Sequence, residues 1–560
     1  MATQNSDILL SVDNLDVIYD TDNPVHAVQN ATFELRRGEM LGLAGESGCG
    51  KSTLAYSINQ MLKAPGKINS GSVIFHDKSG KDIDIRALSG RSLREYRWEK
   101  TSMVFQGAMN SLSPVTKIGK QLADIYKTHR PHMAKSERQD RCAHLLEMVH
   151  VDPNRLAAYP FELSGGMRQR VMIAMALALE PQLIIMDEPT TALDVVVQRE
   201  IIEEISELRR DKGFSVIFIT HDLPMLLEIT DKIAVMKNGV IVEQGVSEDV
   251  YFNPKHPYTQ RLLSSFPSLT GDRAHSFVFH ACVKGIIMSV LKLEHVKKDF
   301  TLRNGLKTTT IHAVKDASFE LASDKTIALV GESGSGKSTI ARMITCLETP
   351  TSGSITLDGK PVPTHGKDLY EYRHNVQMVF QDPFASLNPY HTIFHHILRP
   401  LMINHMANSQ EEYEQKVIEL LERVELTPAV NFMYRRPHEL SGGQRQRVAI
   451  ARALAPKPKV LIADEPVSML DVSLRLGVLN LLSRIQQEEH IGMLYITHDL
   501  ATARHFSDEI MVMCHGDIIE HGPSDDVILN PQQDYTKVLL NAAPDPEKHF
   551  AKIRDGRSRQ

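Results

Sequence analysis

Short, unbroken apolar runs are the clearest pattern along this chain. MLGLA at 40–44 and TIALV at 326–330 each run into a glycine-rich stretch and then a helix-like segment, predicting strand, loop and helix. Two further runs end in IIMDEP at 184–189 and LIADEP at 461–466, the pattern of strands buried on both faces. Elsewhere the period changes. In EEYEQKVIELLERVEL at 411–426, Val417, Leu420, Leu421 and Val424 have helical spacing. An α/β core with an inserted helical subdomain accounts for both periods.

The pattern occurs twice. GESGCGKST at 45–53 returns as GESGSGKST at 331–339, an offset of 286 at the lysine (337 − 51). LSGGMRQRV at 163–171 returns as LSGGQRQRV at 440–448, and FITHDL at 218–223 as YITHDL at 495–500, both offset by 277 (441 − 164 and 498 − 221). The shortfall places a net insertion in the first copy, before Gln106, in a predicted surface hairpin. So long a period means duplicated domains rather than a solenoid. At Met288 the text restarts as MSVLKLEHVKKDF, parallel to LLSVDNLDVIYD near the start. The boundaries read from this are a first domain over 1–250, an extension and linker over 251–287, a second domain over 288–525 and an extension over 526–560.

Composition narrows the function classes. At 560 residues the chain exceeds one core, and 42% hydrophobic with 24% charged residues is an ordinary globular balance. A net charge of -6 lacks the basic field of a nucleic-acid binder, so no nucleic-acid partner is expected. Five cysteines, Cys49, Cys142, Cys282, Cys346 and Cys514, show neither metal-ligand spacing nor a disulfide framework, which fits a reducing cytosol. The start has no export-signal pattern. The stretch Ser276–Leu291 is interrupted by His280 and Lys284, so no membrane span is expected there.

The repeated motifs carry phosphate chemistry. In the glycine loops, Gly45, Ser47, Gly48 and Gly50, and again Gly331, Ser333, Gly334 and Gly336, let backbone N–H groups converge on phosphate oxygens at a helix N-terminus. Lys51 and Lys337 would reach the β- and γ-phosphates, Thr53 and Thr339 would join them in binding the nucleotide, and Ser52 and Ser338 would ligate Mg²⁺. Asp187 and Asp464 end buried strands, where a carboxylate is costly unless it serves a cation. Glu188 and Glu465 follow, placed to deprotonate an attacking water. Gln106 and Gln381, in MVFQ, would bridge metal or water to ATP, and His221 and His498 would contact the γ-phosphate. Ser164, Gly165 and Gly166, with Ser441, Gly442 and Gly443, open a second anion-binding helix in each copy.

This set, with stretches ending at Asp194 (TTALD) and Asp471 (VSMLD), resembles the ABC ATPase superfamily over essentially the whole chain, twice. The resemblance implies two tandem nucleotide-binding domains, each a RecA-like P-loop core with an antiparallel β subdomain and an inserted helical subdomain. It implies head-to-tail pairing of the copies, one composite site joining Lys51, Gln106, Glu188 and His221 to Ser441 and Gly443. The other joins Lys337, Gln381, Glu465 and His498 to Ser164 and Gly166. Tyr19 and Phe300, at matching places in the leading strands, would stack on adenine. Met167, where glutamine is usual, and the Met469–Leu470 pair depart from the pattern; Met167 should modulate rather than abolish function.

Finer text, SLSP at 111–114, SLNP at 386–389 and KHPYTQRLLSSFP after the first copy, is similar to the D-type and F-type ATPase subunits of peptide/nickel importers. That implies ATP hydrolysis driving import of dipeptides or oligopeptides, with nickel and oligosaccharide import in the same family as alternatives. The implied partners are two transmembrane permeases, docking near Gln106 and Gln381, and an extracytoplasmic solute-binding protein; the location is peripheral, on the cytoplasmic face of the bacterial inner membrane. PQQDYTK at 531–537 stands where HPYT is expected, so no role is carried over to the second tail. Cys282 alone cannot hold the Fe–S cluster of some D-type relatives. The rival class, a soluble tandem ATPase acting on ribosomes, calls for a long charged helical linker that the sequence lacks.

Overall fold

The computed structural model describes residues 7–107, 111–190, 193–267, 269, 271, 289–304 and 307–558. The restart at Met288, Cys282 and most of the linker lie outside them. Two compact units form: one comprises Met1–Leu193, Val197–Phe266 and Pro544–Gln560, the other Asp194–Val196 and Pro267–Ala543.

In the first unit the loop-bearing strand Met40–Ala44 lies inside a six-stranded sheet, parallel to Ser215–Ile219 on one side and Lys232–Lys237 on the other. Leu183–Asp187 and Thr101–Val104 continue the parallel order, and Val240–Val246 closes the opposite edge antiparallel. Met40–Ala44, Leu183–Asp187 and Ser215–Ile219 are buried at every position, which explains their continuous apolar text. A four-stranded antiparallel sheet, built on Ile8–Tyr19 between Val25–Arg36 and Gly66–His76, covers one side. The helices Ile118–His129 and Lys135–Met148 form the inserted subdomain before the helix Gly165–Leu177.

The second unit repeats this plan around Thr326–Val330, flanked by Gly492–Ile496 and Glu509–Cys514. Its antiparallel and parallel parts join into one ten-stranded sheet through the pairing of Asp316 with Asp517. The helix predicted over 411–426 forms as Gln410–Arg423; Val417 and Leu421 are fully buried, as is Val424 at its C-cap. Part of the first copy's extra length sits in the hairpin between Gly66–His76 and Asp82–Asp84, where the second copy turns directly from Leu357 to Lys360; the rest lies elsewhere between Lys51 and Gln106.

The final helix, Pro546–Ser558, belongs to the first unit. Phe550 is buried there against Tyr251 and Phe252, and Arg554 stacks on Phe252 at 4.1 Å while pairing with Glu248. In the second unit, Leu269 is buried and its carbonyl accepts a 2.7 Å bond from Arg504. Among the described residues no helix is long and apolar enough to cross a membrane.

Candidate functional site

Each phosphate loop is held open by backbone that only glycine tolerates. Gly50 has φ 106°, and a Cβ there would meet the Ala27 carbonyl oxygen at 2.2 Å; Gly336 has φ 111° and would meet that of Ala313 at 2.3 Å. The helices Lys51–Ile58 and Lys337–Ile344 begin at the next residue, leaving their first N–H groups at the loop mouth.

Lys51 is buried, and its Nζ donates to the carbonyls of Gly45 at 2.7 Å and Glu46 at 2.8 Å. Lys337 does the same with Gly331 at 2.8 Å and Glu332 at 2.7 Å. Burial holds the Lys337 ammonium below the ordinary lysine range.

Behind each loop stands the aspartate that ends the next strand but one in the sheet. Ser52 Oγ donates to Asp187 Oδ1 at 3.0 Å and Ser338 Oγ to Asp464 Oδ1 at 3.4 Å. Asp187 is fully buried, and its Oδ2 has no hydrogen-bond partner. Burial pushes its carboxyl up to about 6, against the Ser52 bond, and raises Asp464 likewise. A buried carboxylate with one idle oxygen beside a serine hydroxyl is the donor set a divalent cation takes. These residues fit Mg²⁺.

The glutamates turn away from the strands. Glu188 and Glu465 adopt φ 49° and 45°, and their backbone N–H groups bond the carbonyls of Ile219 and Ile496. Gln106 Nε2 donates to Glu188 Oε2 at 2.8 Å and His221 Nδ1 lies 3.4 Å from Oε1; Gln381 and His498 meet Glu465 at 2.6 and 3.3 Å. Burial would push Glu465 up, but the His498 contact and the charges of His498 and Lys337 hold it below the ordinary glutamate range. His498 is raised in turn, burial being outweighed by Glu465. Each unit thus has a carboxylate at a strand end, oriented by two side chains, beside a phosphate cradle.

The remaining predicted residues occupy other places. Ser164 and Ser441 cap the helices Gly165–Leu177 and Gly442–Leu454, accepting from the N–H groups of Met167 and Gln444. Gln444 returns the bond to the Ser441 N–H; Met167 has no atom to do so. Gly166 and Gly443 face Val197 and Leu474 so closely that added Cβ atoms would lie 2.7 and 3.1 Å away. Tyr19 Oη lies 3.4 Å from Thr53 Oγ1, at the loop helix, whereas Phe300 lies beneath the Lys298 ammonium at 4.9 Å.

Near Gln381 a groove of about 870 Å³ opens, lined among others by Arg342, Phe380, His391, His395 and Arg399. Phe380, Phe384 and Ile403 are exposed around it.

Sequence reasoning missed Tyr258 and Tyr535. Their hydroxyls accept bonds from the backbone N–H of Glu46 at 3.3 Å and Glu332 at 3.1 Å, inside the phosphate loops. The second tail, to which no role was carried over, therefore makes the same loop contact as the first. The signal was there: the Tyr-Thr pairs of KHPYT and QQDYT share the 277-residue offset (535 − 258).

The sequence matches the ABC transporter family at residues 28–191 and again at 314–468. It matches the oligopeptide/dipeptide transporter C-terminal region at 242–278 and 519–559. The glutathione import ATP-binding protein GsiA of Pectobacterium atrosepticum is 40% identical over 567 residues, covering 96% of this chain and 90% of that protein. GsiA of Escherichia coli O157:H7 is 40% identical over 562 residues, covering 96% and 89%. A dimeric bacterial ABC transporter cassette, MJ0796, is 32% identical over 42% of this chain and 98% of its own, with a TM-score of 0.38. With both cassettes matched and the transporter C-terminal region following each, the chain belongs to the ABC transporter family as an ATP-hydrolysing protein of two tandem cassettes.

Proposed function

We propose that this protein binds two Mg²⁺·ATP and hydrolyses them to drive a membrane importer of peptides. The observation that carries the hydrolytic part is the pair of glutamates, each held by a glutamine and a histidine beside a lysine–serine–aspartate cradle. Glu188 and Glu465 take the proton of the attacking water; Gln106 and Gln381 orient it; His221 and His498 fix the carboxylates and contact the γ-phosphate. Lys51 and Lys337 neutralise phosphate charge, and Tyr19 and Phe300 take the adenine faces. Asp187 with Ser52, and Asp464 with Ser338, would hold Mg²⁺, Gln106 and Gln381 completing the shell. The metal supplies charge neutralisation on the phosphates when bound.

In this reading the two copies pair head to tail. Each copy offers two phosphate-binding helix starts, after its own loop and after Ser164 or Ser441, and one triphosphate needs both. ATP then closes the pair and hydrolysis reopens it.

The importer assignment is supported by the transporter C-terminal regions and by relatives named for glutathione import. Two permeases are the partners on the cytoplasmic face of the inner membrane, one inserting a helix into the groove beside Gln381; a solute-binding protein delivers the cargo. Cells producing the double variant Glu188→Gln/Glu465→Gln should lose uptake of radiolabelled glutathione or dipeptide while the protein still sediments with membranes. Undiminished uptake of every peptide tested, or sedimentation with ribosomes instead, contradicts it.

A further inference from the structure

The contact between each C-terminal extension and its phosphate loop repeats in both units although the surrounding text differs. Tyr258 sits on the helix Pro257–Ser264 and Tyr535 on Asp534–Ala542. His256 and Pro257 of the first tail are replaced by Gln533 and Asp534 in the second. What stays is a tyrosine, a threonine after it and a strand glutamate beneath. Glu243 accepts the backbone N–H groups of Lys255 at 2.7 Å and His256 at 3.0 Å; Glu520 accepts those of Gln532 at 2.8 Å and Gln533 at 3.2 Å, and the Thr536 hydroxyl. Burial would raise the Glu243 carboxyl, but the N–H bonds from Lys255 and His256 hold it below the ordinary range. Each helix start is therefore pinned to the sheet by a glutamate side chain.

From that anchor the tyrosine reaches the second residue of the loop. Glu46 is held from both sides, its N–H by Tyr258 and its carbonyl by Lys51. Glu332 is held the same way by Tyr535 and Lys337. Tyr258 is buried, with Lys237 over its ring at 4.8 Å. Burial raises the Tyr535 hydroxyl above the ordinary tyrosine range, so it stays neutral. The residue fixed in this way sets the direction in which the loop leaves its strand, and hence where the following N–H groups point.

We propose that Tyr258 and Tyr535 are positioning residues for ATP, presetting the two phosphate loops and connecting each C-terminal extension to its nucleotide site.

The test uses the full chain with both tyrosines replaced by phenylalanine, which keeps the rings and removes the acceptors. Binding of a fluorescent, N-methylanthraniloyl-labelled ATP with Mg²⁺ is read beside hydrogen exchange at the Glu46 and Glu332 amides. The Kd is expected to rise about fivefold, the effect of one lost hydrogen bond per loop, with turnover at saturating ATP within about twofold of wild type. The two amides are expected to exchange about tenfold faster, and the melting temperature to stay put. A wild-type Kd overturns the proposal, even if the corresponding alanine pair binds poorly, because ring packing alone would then account for the contact. A raised Kd that comes with a lowered melting temperature overturns it as well.

Discussion

Asp187 is destabilising in the fold, and the proposed function gives its carboxylate a cation to hold. Its carboxyl is raised from 3.8 to about 6 because burial disfavours the charge more than the Ser52 bond favours it. A group raised in this way contributes its full share of stability below its unfolded pKa and loses that share as pH rises through the folded value. Without nucleotide and metal, Asp187→Asn should therefore stabilise the protein at pH 7.5 by up to about 3 kcal/mol, the free energy of holding a buried carboxylate charged at that pH. The gain should vanish near pH 4. Denaturant melts at the two pH values check this, and loss of Mg²⁺-dependent ATP binding in the same variant shows what the charge is for. At Glu188 and Glu465 orientation is what counts. Replacing both by glutamine should leave ATP bound and slow phosphate release by about 10²–10⁴, as expected for a removed general base. In the second unit the His498–Glu465 pair joins a raised histidine to a lowered glutamate. Both partners are charged between the lowered Glu465 value and the raised His498 value. His498→Gln should therefore lower the melting temperature most at mildly acid pH, and least once pH has risen past the histidine's folded value.

Among the helices, the caps of Gly165–Leu177 and Gly442–Leu454 differ. Ser441 and Gln444 form a reciprocal cap, whereas Ser164 faces Met167, which returns no bond. Met167→Gln should complete the first copy's cap and stabilise the first unit by about 0.5–1 kcal/mol, seen as a higher midpoint in thermal unfolding followed by hydrogen exchange. The C-terminal helix gives an opposite case. Phe550 is its main apolar anchor, so Phe550→Ala should free Pro546–Ser558 from Tyr251 and Phe252 and expose Lys548, Lys552 and Arg554 to trypsin. How much of this was legible depends on what each feature leaves in the text. Loops, capping serines and buried strands are short and local, so glycine spacing and apolar runs reported them directly. The docking of Phe550 was not legible, because one aromatic on a mostly polar helix carries no sign of its acceptor. The tyrosine–loop contact left only a Tyr-Thr pair at the repeat offset, with the donating N–H 212 residues away by position (258 − 46). The predicted adenine roles rest on position in the strand: Tyr19 lies beside the loop helix, while Phe300 is engaged by Lys298.

For the whole molecule, the central proposal is that each half supplies what the other's nucleotide lacks. Each unit assembles a lysine, serine, aspartate, glutamine, glutamate and histidine around one cradle, and each holds a helix capped by Ser164 or Ser441. Under the proposed head-to-tail pairing these would be two interdependent catalytic centres rather than two separate enzymes in tandem. The direct measurement is labelling by photoactivated 8-azido-ATP in the Glu188→Gln/Glu465→Gln background, with Ser441→Arg added and the labelled peptides identified by mass spectrometry. Head-to-tail pairing requires a loss of label, about tenfold or more, on the peptide around Lys51, with the Lys337 peptide still labelled. Full labelling at Lys51 together with loss at Lys337 would contradict it.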